Sequence, residues 1–217
     1  MYGAGGKPSW FLQLSPKGQV PVLVDWTRPL RKQDSLSQPG ASIGAGSNDA
    51  SSGGRIPTVV VDSEVILDYV ATNMDASGDL LPVGEGQLAA IAEARAFIND
   101  VVMPAGRKAV QHAAQRGGQT PPVEFIAALS KLEGMLAAVA GNFVAGGDHG
   151  GARRAPVFLA GDNFTLADIS AAPILQRLHQ RGWLDGRLYP LVTEWWHRLE
   201  VRPSVAATVL DSWWWWW

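Results

Sequence analysis

Hydrophobic positions along the chain follow two different rhythms. In the first third they form short β-branched runs. Val20-Pro21-Val22-Leu23-Val24 and Thr58-Val59-Val60-Val61 are each bounded by turn-forming residues and predict two buried strands. The two strands are expected to pair as a hairpin across residues 25–55. That connection is rich in Ser, Gly, Asn and Asp and buries too little apolar surface to offset its ordering entropy, so it reads as a flexible insertion. Ahead of the first strand, Trp10, Phe11 and Leu14 have helical spacing, and Ser15-Pro16-Lys17-Gly18 ends that short helix. After the second strand, Ser63 is positioned as an N-cap, and Ile66, Tyr69 and Val70 make one face of a helix to about Asn73.

Past a linker of Gly, Pro, Ser and Asp the period becomes helical throughout. Residues 87–115 predict a helix carrying Leu88, Ile91, Phe97, Ile98, Val101 and Val102, kinked at Pro104. Residues 121–144 are the clearest amphipathic segment, with Phe125, Leu129, Leu132, Leu136, Val139 and Phe143 on one stripe. Residues 142–156 read as a loop. Thr165-Leu166-Ala167-Asp168 is a capping box in its aspartate form, flanked by Phe164 and Ile169 at the staple positions. The helix it opens runs to about Gln180, with Ile169, Ala172, Leu175 and Leu178 inward. Tyr189-Pro190 opens another helix with Leu191, Trp195 and Leu199, Arg202-Pro203 stops it, and Ser204 begins a last short one. The organisation is therefore an α/β piece over residues 1–75 and an all-helical domain over 84–217.

Composition narrows the function. The 217 residues are 47% hydrophobic, enough for a sizeable core. A net charge of −2 gives no basic face for nucleic acid. With no cysteine there is neither a disulfide nor a thiolate metal site, which fits a reducing compartment. His112, His149, His179 and His197 have no metal-ligand spacing, and Gly3-Ala4-Gly5-Gly6 neither follows a strand nor opens a phosphate loop. The first six residues lack the apolar stretch of a signal peptide, and no apolar run is long enough to span a membrane. Trp213 to Trp217 form a tail that is read as packed or frayed more readily than as a membrane-interface anchor.

Three segments carry candidate chemistry. A cis bond into Pro21 would turn the Val20 peptide groups outward to pair with an extended ligand backbone. A trans proline at a strand start is the commoner arrangement. Asp62-Ser63, at a strand-to-helix junction, would offer an amide-rich helix start for a carboxylate and an acid for an ammonium; taken alone, a plain helix cap is the commoner arrangement. Lys7 is either a carboxylate partner or a solvated lysine.

Together these segments resemble glutathione transferases. The stretch Lys7-Pro8-Ser9-Trp10-Phe11-Leu12-Gln13-Leu14-Ser15-Pro16-Lys17-Gly18-Gln19-Val20-Pro21 is similar to the region before and through that family's third strand, most closely in the omega-like classes. Asp62-Ser63-x-x-Ile66-x-x-Tyr69 matches the family's Glu-Ser-x-x-Ile-x-x-Tyr pattern with Asp for Glu. The 164–169 capping box and Tyr189-Pro190 through Ser204 resemble its C-terminal helices. The resemblance implies a partial thioredoxin-like α/β domain followed by an all-helical domain. It implies glutathione as co-substrate, a small electrophile as the second substrate, a cytoplasmic homodimer and a role in detoxification. Val20 would pair with the cysteinyl unit before a cis Pro21, Asp62 and Ser63 would hold the γ-glutamyl end, and Lys7 the glycyl carboxylate. The family's first strand, helix and catalytic Cys, Ser or Tyr have no match here, so the chain is expected to be N-terminally truncated and no catalytic residue is assigned. Glutathione conjugation and glutathione-dependent thiol reduction both remain open, as does a non-catalytic interaction protein.

Overall fold

A computed structural model describes residues 6–27, 57–116, 120–145 and 158–210. The chain divides into two compact units, Met1–Ala76 and Ser77–Trp217. The predicted insertion over residues 25–55 lies almost wholly outside the described residues, as does the tryptophan tail.

In the first unit, helix α1 (Ser9–Leu14) leads into strand β1 (Val22–Asp25), which pairs antiparallel with β2 (Thr58–Val61) before helix α2 (Ser63–Asn73). The hairpin forms as the β-branched runs predict. Val59 and Val60 are buried while Val22, Leu23 and Val24 are half-buried. Asp25, at the end of β1, is only 5% exposed. Its Oδ2 accepts from the Tyr69 hydroxyl of α2 at 2.9 Å, and its Oδ1 accepts from the Thr27 amide at 2.7 Å and the Thr27 hydroxyl at 2.6 Å. A buried carboxylate without such donors would be strongly disfavoured, so this cluster ties α2 to the hairpin.

The second unit is built from α3 (Glu85–Phe97), α4 (Met103–Arg116), α5 (Val123–Ala145), α6 (Leu166–Gln180), α7 (Pro190–Glu200) and the short α8 (Pro203–Val205). Between α3 and α4 the backbone widens into a π-helical turn, Ile98–Val102. The wide turn stands just ahead of Pro104, whose missing amide and bulky ring break the regular ladder. The expected kink is thus taken up as a local widening. Of the predicted stripe of α5, Phe125, Leu129, Leu132 and Leu136 are buried and Val139 is half-buried, while the Phe143 side chain lies outside those described. Helix α5 continues to Ala145, so the loop expected from residue 142 begins later. Asn142 is a weak helix former, but the apolar residues on either side extend the helical pattern past it.

Helix α6 is buried nearly all round, with Ala172, Leu175 and Leu178 inward as expected and Ile169 only half-buried. On α7, Val192, Trp195, Trp196 and Leu199 are buried and Leu191 is half-buried. At the helix start Glu133 of α5 accepts the Leu191 and Val192 amides at 2.9 Å each and ties the two helices together. Pro203 opens α8, followed by a second π-helical turn, Ala206–Leu210. No helix among the described residues is long and apolar enough to cross a membrane.

Candidate functional site

The antiparallel register sets the geometry. Val22 faces Val61 at one end of the hairpin, and Asp25 faces Thr58 at the other. One step beyond the first pair lie Pro21 on one strand and Asp62 on the other, and a second step reaches Val20 and Ser63. Four of the five candidate residues therefore gather at the same end of the same two strands. All four are exposed, Val20 to 59%. An apolar side chain so open at a strand start leaves the adjoining backbone accessible. The Val20–Pro21 peptide bond is cis.

Asp62 is the only described non-glycine residue with positive φ, at φ 89° and ψ 134°. An L-residue held there costs on the order of 1–3 kcal/mol, and such residues concentrate at functional sites. The sequence reading made Ser63 the N-cap. In the structure Asp62 takes that position, with its Oδ1 accepting the Glu64 amide at 2.9 Å. The physical reason is the sharp turn at Asp62, which folds its short carboxylate back over the first helical turn. Ser63 becomes the first helical residue, where its backbone amide is one of those the helix leaves without an internal acceptor. The positive end of α2 and an exposed hydroxyl thus stand together at the open end of the hairpin, away from its connecting segment.

Lys7 is placed differently. Its ammonium donates to the Gly18 carbonyl and lies 5.3 Å from the centre of the Phe11 ring. Gly18 has φ 65°, and a Cβ there would come within 3.1 Å of Lys7 Cδ, so glycine serves both the turn and the lysine stem. Lys7 is thereby fixed to the turn that feeds Val20.

The sequence reading missed the Asp25–Tyr69 bond. Tyr69 belongs to the recognised pattern, but its partner stands 44 residues away, and no periodicity links residues so far apart. In the helical unit the capping box is observed and is larger than expected. Asp168 Oδ2 accepts from the Thr165 amide at 2.9 Å and from its hydroxyl at 3.3 Å. Asp168 Oδ1 accepts from the Leu159 amide at 3.0 Å and the Trp195 indole at 2.8 Å. Burial pushes the Asp168 carboxyl above its ordinary value; the Leu159 and Thr165 amides, then the Trp195 and Thr165 side chains, pull it back. This network is structural: it binds the start of α6 to α7 and carries no exposed reactive atom.

Two sequence profiles match the chain. The glutathione S-transferase N-terminal domain matches residues 2–73, and the glutathione S-transferase C-terminal domain matches residues 111–207. A search of curated proteins gives no match. Among solved structures, a glutathione transferase of Bombyx mori is similar at TM-score 0.59 and 17% identity, over 89% of this chain and 68% of that one. FzlA from C. crescentus is similar at 0.60 and 18%, over 95% and 77%. Ure2p, solved in complex with glutathione, is similar at 0.61 and 18%, over 94% and 81%. At such identities these likenesses speak to fold alone, and the fold they share is a thioredoxin-like domain followed by a helical one. The two matched domains and the architecture agree, and the chain belongs to the glutathione transferase family.

Proposed function

We propose that the first unit binds glutathione at the open end of the β1–β2 hairpin. The observation that carries the reading is the register: pairing Val22 with Val61 brings exposed Val20 to the same end of the hairpin as the strained Asp62 and the exposed Ser63. A tripeptide with a free amino-acid end and an extended middle suits that arrangement. The Val20 peptide groups would pair with the cysteinyl backbone, as an added strand does. The start of α2 and the Ser63 hydroxyl would hold the γ-glutamyl carboxylate, and Asp62 its ammonium. Lys7, at the turn before Val20, would take the glycyl carboxylate.

The chemistry proposed is transfer of the glutathione thiolate to an electrophile, or glutathione-dependent thiol reduction, in a cytoplasmic homodimer of the omega-like kind. A second reading, a glutathione-transferase-fold interaction protein without turnover, is favoured by one feature. Val20, Pro21, Asp62, Ser63 and Lys7 all bind and orient, and none of them activates a thiol. Retention on immobilised glutathione tests the binding site. The intact chain should be retained and eluted by free glutathione, and Asp62→Ala with Ser63→Ala should pass through; equal passage of both forms overturns the reading. A conjugation assay with a general electrophile then separates turnover from binding alone.

A further inference from the structure

The turn ahead of α6 is anchored at both ends. The Phe158 amide donates to the Gly161 carbonyl at 3.0 Å, and the Gly161 amide donates back to the Phe158 carbonyl at 3.3 Å. Within that turn the Leu159 amide donates to buried Asp168, and past it so does the Thr165 amide. The Phe158 and Phe164 rings meet edge to face, with centres 5.8 Å apart. Asp162 and Asn163 lie between these fixed points, and both are exposed. Their positions are therefore set by contacts in which their own side chains take no part.

Beside this turn the helical unit encloses a cavity of about 370 Å³. Ala90 of α3, Val139 of α5 and Ala160 of the turn give it an apolar lining, and Gln87, Asp162 and Asn163 bring polar groups to it. Asp162 is the only charged residue among the described lining residues. No hydrogen bond or ion pair among the described residues engages the side chains of Gln87, Asp162 or Asn163. The capping box accounts for Asp168, but Asp162 stands before the N-cap Thr165, beyond the turn over which a helix dipole acts. The start of α3 is the positive end of its own helix, and Glu85 in the first turn offsets it.

We propose that this cavity binds a small aliphatic primary amine in its protonated form. An alkylammonium group carries three N–H donors. The Asp162 carboxylate takes one in a charge-assisted bond, and the side-chain oxygens of Asn163 and Gln87 take the others. Ala90, Val139 and Ala160 cover a short hydrocarbon body. The volume falls within the range of about 300–1,000 Å³ usual for small-molecule sites. A quaternary ammonium has no N–H for these acceptors, and no aromatic ring is among the described lining residues to hold it by its face. A calcium ion takes about 6–8 oxygen ligands, more than one carboxylate and two amides supply. The site is built from the helical unit alone and does not rest on the glutathione reading.

The test uses cyclohexylamine, cyclohexanol and cyclohexyltrimethylammonium, which share a ring and differ in charge and donors. Each is titrated against the intact chain and followed by the Gly161 amide signal in proton–nitrogen correlation spectra. The amine should bind about tenfold more tightly than either of the others, with an affinity that falls as salt rises. Asp162→Asn, at an exposed position outside the capping box, should lower amine affinity about tenfold and leave the alcohol and the circular dichroism spectrum unchanged. Ala90→Leu, which fills the cavity from α3, should weaken the amine and the alcohol together. Equal affinities for amine and alcohol, amine binding undiminished in Asp162→Asn, or amine binding undiminished in Ala90→Leu would each overturn the proposal.

Discussion

Two carboxylates, Asp168 of the helical unit and Asp62 of the α/β unit, are held in opposite ways. In the helical unit the critical carboxylate, Asp168, is wholly buried and answered by donors from three segments of chain. In the α/β unit the corresponding acid, Asp62, is exposed, strained in its backbone and answered within the chain by the Glu64 amide. The first arrangement spends polar groups on rigidity. The second leaves hydrogen-bonding capacity facing outward, open to water and, under the proposed function, to a ligand.

The strongest way to break that contrast is at Asp168. Replacing it with Ala strands two buried amides and an indole, and should cost about 3–4 kcal/mol of unfolding free energy in a urea titration. A loss below about 1 kcal/mol would mean the network is ornamental. Asp168→Asn keeps one acceptor and sharpens the point through pH. Because the folded-state value is raised above 3.8, the folded unit binds this proton more tightly than the unfolded chain. The contribution of Asp168 to stability is therefore highest at low pH. It declines as pH rises through the window that opens at 3.8, and is level above the raised value. Stability measured at a series of pH values should show this decline in the native chain relative to Asp168→Asn; parallel profiles would remove the ionisation from the account.

Glu133→Ala is expected next in size, at about 1–2 kcal/mol, since it strips the acceptor from two amides at the start of α7. Tyr69→Phe deletes one bond to the buried Asp25 and should cost about 1 kcal/mol. It should also weaken retention on glutathione, because α2 carries Ser63; undiminished retention would separate the anchor from the site. The smallest stability change belongs to Asp62→Gly. Relief of the positive φ is opposed by loss of the cap and by the greater freedom of glycine when unfolded. Stability should move by less than about 1 kcal/mol while glutathione binding is lost, which is the division of labour in a single residue.

Much of this was legible along the sequence. The β-branched runs at 22–24 and 58–61, the stripe on α5 and the capping box at Thr165–Asp168 are local patterns, and each formed where its period or spacing pointed. What stayed hidden was set by contacts between distant segments. Glu133 of α5 accepts the first amides of α7, Tyr69 reaches Asp25, and Leu159 and Trp195 converge on Asp168. The site was half visible. The motif at 62–63 announced a helix start, but the exchange of roles between Asp62 and Ser63 depends on a single backbone angle that composition does not encode. Lys7 could be placed near the strand in sequence, yet its tether to Gly18 follows from the path of the turn.

The wide turn at Ile98–Val102 has a consequence for anyone altering this chain. A π-helical turn holds one residue more than the helix around it, so it works as a vernier between α3 and α4. Deleting a single residue there would let the helix run regular and leave the faces of α4 almost where they are, because the residue removed is the extra one the wide turn holds. The same deletion within the regular turns of α4 would instead swing everything after it by about 100°. The wide turn is where this stretch of helix can lose a residue and keep its faces.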